Sequence, residues 1–403
     1  MPRRLPLNSA DLRAAARLAT DATTGLTDLV EAVHQRIASV PGRGVPGPDG
    51  RAGGVSGLVY KTVRGVTRLA GGSLDALLGL LAPALRPAGA TSPEREAVVA
   101  ALNGVLGDYL AASANPLATT MAWRCDGQPL PLDAAALAQR LPQAGGRLLV
   151  LVHGLCMNDL HWSRAGHDHG AALARELGFT PLYLHYNSGL HISINGRGLA
   201  AQLERLIGQW PQPVQRLVLI GHSMGGLVAR SAVHQARLAG QRWPERLDDL
   251  VFLGTPHHGA PLERAGHWVD VLLGSTHYSK PFARLTQLRS AGITDLRFGH
   301  VLEEDWQGHD RFRKKPDSRV HVPLPEGVAC FTVAATMAAK RSLLADRLIG
   351  DGLVPLNSAL GVHSDPTRSL IFAKSSQMLV YRTNHMAMLG SAEVGEQLVA
   401  WLK

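Results

Sequence analysis

The stretch RLVLIGHSMGGLVARSAVHQARLAG, residues 216–240, decides the fold. Residues 216–220 (RLVLI) form a short leucine-rich, β-branched run, as expected for a strand buried on both faces of a parallel sheet. Residues 224–238 place Met224, Leu227, Val228 and Val233 at helical spacing, with Arg230, His234 and Arg237 on another side. Between them, Gly221-His222-Ser223-Met224-Gly225 reads as a nucleophile elbow, G-x-S-x-G. A turn that sharp pushes the serine side chain out of the backbone, and bulky residues two positions away would collide across it. With 43 Gly in 403 residues, a chance match is expected in roughly one such chain in four, so the flanking strand and helix carry the reading. Ser223 is the candidate nucleophile.

Working outward, further apolar runs at 147–153, 181–186, 249–254, 328–334 and 378–382 read as strands. Helical patterns at 168–177, 196–210 and 224–239 separate the first four strands, counting 216–222 among them. This alternation predicts an α/β fold with a mostly parallel sheet and helices on both faces. The rhythm stops between 257 and 326, a stretch rich in histidine, tryptophan and charge that is too long for a simple loop; it reads as an inserted cap. Before residue 125 alternating strands are absent, and helical patterns run over roughly 8–38, 56–85 and 93–113, broken by the Gly/Pro-rich segment 41–54. The expected organisation is a helical extension over 1–125 and a catalytic domain over 126–403. In 58–70, Val59, Val63 and Val66 line one face and Lys61, Arg64 and Arg68 another. That helix either rests on a membrane or particle or packs on the body of the protein; packing is the expectation, because the valines need burial.

A serine hydroxyl needs a general base, an acid to orient that base, and donors for the oxyanion. At an elbow of this kind the chain order is serine, carboxylate, histidine, with the last two on loops after later strands. Asp351, between two glycines in LIGDGLVPLNSA, and His385, just beyond the last strand in VYRTNHMAML, satisfy that order. Asp346 sits in a helical pattern, Asp365 reads as a turn residue before proline, and His363 lies in the same loop. His222 belongs to the elbow itself, while His257 and His258 precede the acid in the chain. One oxyanion donor is expected from the N–H of Met224, and the other from Leu155 in the loop VLVHGLCMND. Cys156 in that loop has no evident base of its own. His161, His167, Asp168 and His169 cluster at short spacing, but Asp168 is placed to cap a helix starting at 169; no metal and no cofactor is expected.

The formal charge of +9 allows contact with anionic surfaces, yet no basic segment carries interleaved aromatics, and RFRKK (311–315) is short. Nucleic acid is not an expected partner. Three cysteines without a C-x-x-C make no disulfide framework, and the N-terminus has no uninterrupted apolar core, so a cytoplasmic protein is the expectation. The longest apolar stretch, 74–85, is too short to span a bilayer.

Together, HGLCMND, GHSMGGLVAR, GTPHHGAPLE, GDGLVP and NHMAML resemble the α/β-hydrolase superfamily, and within it bacterial lipases and esterases and the lipase-like relatives of GPI-inositol deacylases. The resemblance covers about 126–403 without the cap. It implies hydrolysis of carboxylic esters, including lipids, through an acyl-enzyme on Ser223, with His385 as the base and Asp351 as the acid that orients it. Two alternatives stay open: a depolymerase for an intracellular polyester, docking through the N-terminal helices, and a membrane- or particle-binding protein with an idle hydrolase fold.

Overall fold

The computed structural model describes residues 13–14, 16–17, 93–260, 290–308, 317–339 and 350–403. The chain divides into two compact units, Met1–Arg95 with Ala112–Leu117, and Glu96–Ala111 with Ala118–Lys403. Residues expected to form a separate extension are thereby shared between both. In the first unit, residues 13–14 and 16–17 are helical, and Asn115 Nδ2 donates to the Ala14 carbonyl (3.3 Å). Most of the helical patterns 8–38 and 56–85, with Lys61, Arg64 and Arg68, lies outside the described residues. Among those described, no helix is long and apolar enough to cross a membrane.

The second unit is built on one eight-stranded sheet. Its strands are β1 (Ala122–Cys125), β2 (Gln128–Leu130), β3 (Arg147–Val152), β4 (Thr180–His185), β5 (Arg216–His222), β6 (Leu247–Leu253), β7 (Ala329–Thr336) and β8 (Gln377–Tyr381). They lie in the order β2-β1-β4-β3-β5-β6-β7-β8. From β4 to β8 every pairing is parallel, with Val150 of β3 level with Leu219 of β5 and Leu250 of β6 level with Cys330 of β7. Residues 148–152, 217–220 and 250–253 have no exposed side chain, which is why these strands read as unbroken apolar runs. At about 1.5–3 kcal/mol for each buried Leu or Val, these three strands supply much of the hydrophobic stabilisation.

The reading of residues before 125 as strand-free is corrected by β1, and β2 is a further strand that was not expected. Cys125 pairs with Gln128 across a two-residue turn, Asp126-Gly127, with both residues at positive φ (51° and 70°). Asp-Gly is the signal for such a hairpin, but the strands are too short to show alternation. The hairpin joins the sheet antiparallel through β1 and β4, with Trp123 level with Leu184.

The helices are α1 (Pro93–Ala112), α2 (Ala134–Arg140), α3 (His169–Leu177), α4 (Ile192–Gln209), α5 (Met224–Leu238), α6 (Ala291–Phe298), α7 (Leu356–Ala359) and α8 (Ala392–Leu402). The Asp168 carboxylate caps α3, accepting the Ala171 N–H (2.9 Å). Helix α4 lies against α5, where a Cβ on Gly196 would meet the Ser231 side chain. In α1, residues 100–107 are buried on every side, so this segment is core rather than an amphipathic surface helix. Between 257 and 326, α6 is the only α-helix or strand among the described residues.

Candidate active site

After β3 the chain crosses to β4 on one side, and after β4 it returns to β5 on the other side of β3. The carboxyl ends of β3 and β5 therefore flank the switch point, where an open parallel sheet leaves a crevice for ligands. Ser223 follows β5 there, with φ 55° and ψ −125°. A non-glycine residue in that region is strained. The flanking glycines explain how the turn is reached. A Cβ on Gly221 would lie 2.5 Å from Gly226 Cα, and one on Gly225 would run into the Val152 carbonyl of β3. The first glycine clears the turn itself and the second clears the neighbouring strand. Ser223 Oγ is buried and has no hydrogen-bond partner among the described residues.

The loops after β7 and β8 bring Asp351 and His385 together. His385 Nδ1 lies 2.6 Å from Asp351 Oδ2, and the His385 N–H donates to the Asp351 carbonyl (3.0 Å). Asp351 Oδ1 accepts the N–H groups of Leu353 (2.9 Å) and Val354 (2.8 Å), so the carboxylate is held before any substrate arrives. Gly350 and Gly352 bracket it at φ 51° and 94°, which is what the two glycines of GDG are for. An aspartate on Nδ1 keeps that proton in place and puts the basic lone pair on Nε2. His222 supports the same loop from the elbow. Its Nε2–H donates to the His385 carbonyl (3.2 Å), with the two rings 4.7 Å apart, and burial holds its pKa far below the ordinary histidine value. His222 is thus a neutral prop.

On the β3 side, a Cβ on Gly154 would lie 3.0 Å from Ser223 Cβ, so the loop after β3 touches the elbow. Leu155 is buried, and the N–H of Met224, the first residue of α5, has no intrahelical partner by geometry. The Cys156 N–H is directed elsewhere, to Ser188 Oγ (3.1 Å).

The rival residues have other work. Burial pushes the Cys156 thiol up to about 12, far from a thiolate at neutral pH. His257 is buried and accepts from Arg230 (3.4 Å), whose other nitrogen holds the Val322 carbonyl. His258 binds the Gly361 carbonyl (2.9 Å) and is held down to about 4, mainly by burial. Asp365 caps a short turn through Thr367, and His363 pairs with Asp317 (3.2 Å). Asp346 lies outside the described residues. In the histidine cluster, His167 and His169 face each other at 2.9 Å, His169 binds the Met388 carbonyl, and His161 contacts Asn158. Among the described residues no group of three or more His, Cys, Asp or Glu is arranged to hold a metal ion. The roles of His222, Tyr186 and Ser188 had no signal in the sequence, because each depends on a partner more than 30 residues away.

Residues 143–326 match the family model described as a PGAP1-like alpha/beta domain. No curated protein matches the sequence. Among solved structures, the chain is similar to the mature lipase BlEst2 of Bacillus licheniformis, at 17% identity and TM-score 0.41, over 70% of this chain and 97% of that one. It is similar to naproxen esterase (carboxylesterase NP) of Bacillus subtilis at 12% identity and TM-score 0.36, over 64% and 84%. The RedJ thioesterase of Streptomyces coelicolor gives 17% identity and TM-score 0.34, over 65% and 86%. Likenesses this distant assign no reaction; the residues have to.

Proposed function

We propose that this chain, an α/β-hydrolase similar to lipases and esterases, cleaves carboxylic esters through an acyl-enzyme on Ser223. The observation that carries the proposal is the 2.6 Å contact between His385 and Asp351, on loops of the same sheet edge as the strained Ser223. His385 Nε2 takes the Ser223 proton as Oγ attacks the ester carbonyl. Asp351 supports the imidazolium that forms, without itself accepting the proton. The carbonyl oxygen becomes an oxyanion held by the N–H groups of Leu155 and Met224. Collapse expels the alcohol, which takes its proton from His385, and water attacks the acyl group by the same route in reverse.

The experiment is covalent labelling with a fluorophosphonate, locating the adduct by mass spectrometry, alongside a panel of p-nitrophenyl esters of increasing acyl length. Label on Ser223 with ester turnover supports the reading. A wild-type protein that neither labels at Ser223 nor hydrolyses any ester of the panel ends it.

A further inference from the structure

Besides Ser223, a second residue at the switch point sits in the left-handed region: Cys156, at φ 59° in the loop after β3. Nothing in a cysteine favours that conformation. What accompanies it is a pair of hydroxyls from the loop after β4. Tyr186 Oη donates to the His153 carbonyl (2.7 Å), and its ring stacks on the His153 ring at 4.3 Å and 23°. Ser188 Oγ accepts the Cys156 N–H at 3.1 Å. Both side chains are buried, at 2% and 1% exposure. Helix α1 closes the far side, since a Cβ on Gly104 would lie 2.8 Å from Cys156 Cα. The segment 153–156 is therefore fixed at each end, and between the ends Gly154 rests against Ser223.

We propose that Tyr186 and Ser188 are positioning residues for the oxyanion hole: they clamp 153–156 so that the Leu155 N–H stands where the ester carbonyl oxygen gains charge. The proposal rests on the ester-hydrolase reading above. Ser188 occupies the Cys156 N–H, and Leu155, between it and Gly154 at the elbow, supplies the donor of this turn. The clamp acts on a group that matters only when the oxyanion exists, so its loss lowers kcat and leaves KM nearly unchanged.

Tyr186→Phe keeps the stacked ring and removes the hydroxyl; Ser188→Ala removes the acceptor. Each lowers kcat on a p-nitrophenyl ester by about 10- to 100-fold, less than deletion of a donor outright, with KM within about twofold. An aryl trifluoromethyl ketone, whose adduct oxygen occupies the hole, binds more weakly by the same factor. The double variant loses less than the product of the two, because both hold one segment. Tyr183→Phe is the control: it deletes a tyrosine hydroxyl bond of equal length, to Asp168 (2.7 Å), away from this loop, and leaves kcat unchanged. Wild-type kcat in both clamp variants, or an equal loss of kcat in the control, overturns the proposal. Fluorophosphonate labelling of wild-type Ser223 separates the two failures. Without label the underlying reading falls; with label and unchanged variants, only the clamp does.

Discussion

Two turns flank the switch point, and both hold a non-glycine residue at positive φ, by opposite means. At the β5 turn, Ser223 is held at φ 55° by what is missing: Gly221 and Gly225 have no Cβ, and backbone from α5 and from the end of β3 fills the space. At the β3 turn, Cys156 at φ 59° is accompanied by added contacts, from Tyr186, Ser188 and α1. A non-glycine residue in a sparsely populated region of this kind is disfavoured by roughly 1–3 kcal/mol, so each turn needs its surroundings. The first solution is a rigid backbone fit that tolerates no added atom. The second is a set of hydrogen bonds, any one of which can go without unfolding the protein. Elbow variants should therefore act on both stability and chemistry, and β3-loop variants chiefly on rate.

The largest effect tests the elbow. Ser223→Ala abolishes labelling and lowers ester turnover by roughly 10⁴-fold or more, with the circular dichroism spectrum unchanged; covalent labelling at the wild-type rate would show that the nucleophile lies elsewhere. Next comes the acid. Asp351→Asn lowers kcat by about 10³–10⁴-fold, whereas Asp365→Asn leaves it at the wild-type level. If the second variant fails and the first does not, the carboxylate has been chosen wrongly.

Gly225→Ala breaks the backbone fit against Val152, and about 1–3 kcal/mol of stability goes with it, read as a shift in urea midpoint. Ser188→Ala shifts that midpoint less. Equal shifts would erase the distinction between the two turns.

A pH dependence is shared by both turns. Burial holds His222 behind the elbow far below its ordinary value and pushes His153, behind the β3 turn, down to about 3; His169 and His161 are lowered to about 4. Below an unfolded value of about 6.5 the unfolded chain takes up protons that these folded histidines refuse. Urea midpoints should be level above about pH 7 and fall steadily from about 6.5 to 4. A midpoint still level at about pH 4.5 contradicts the buried, neutral state of these rings.

What was legible follows the same division. The elbow is written in consecutive residues, and β5 matches the expected 216–222 because its leucines and valines have no other place to go. The Asp351–His385 pair was readable from GDG after one strand and a histidine after the next. The clamp was not, since Tyr186 and Ser188 meet partners 33 and 32 residues away and look like any loop polar residues. The hairpin β1–β2 was hidden by its length, although Asp126-Gly127 announced it. The contacts of the histidine cluster 161–169, such as those of His169 with His167 and with the Met388 carbonyl, were not readable either, since Met388 lies 219 residues from His169.

That hairpin has a consequence for any shortened version of this protein. Without Ala122–Leu130, β4 would be the last strand, and the backbone groups of Tyr183 to His185 that now face β1 would lie open to another chain. With it, the sheet ends on three residues, one of them Pro129 opposite Arg124, which has no N–H to offer a newcomer. The chain from which residues 122–130 alone have been removed should form clumps through strand addition under conditions in which the intact chain stays dispersed.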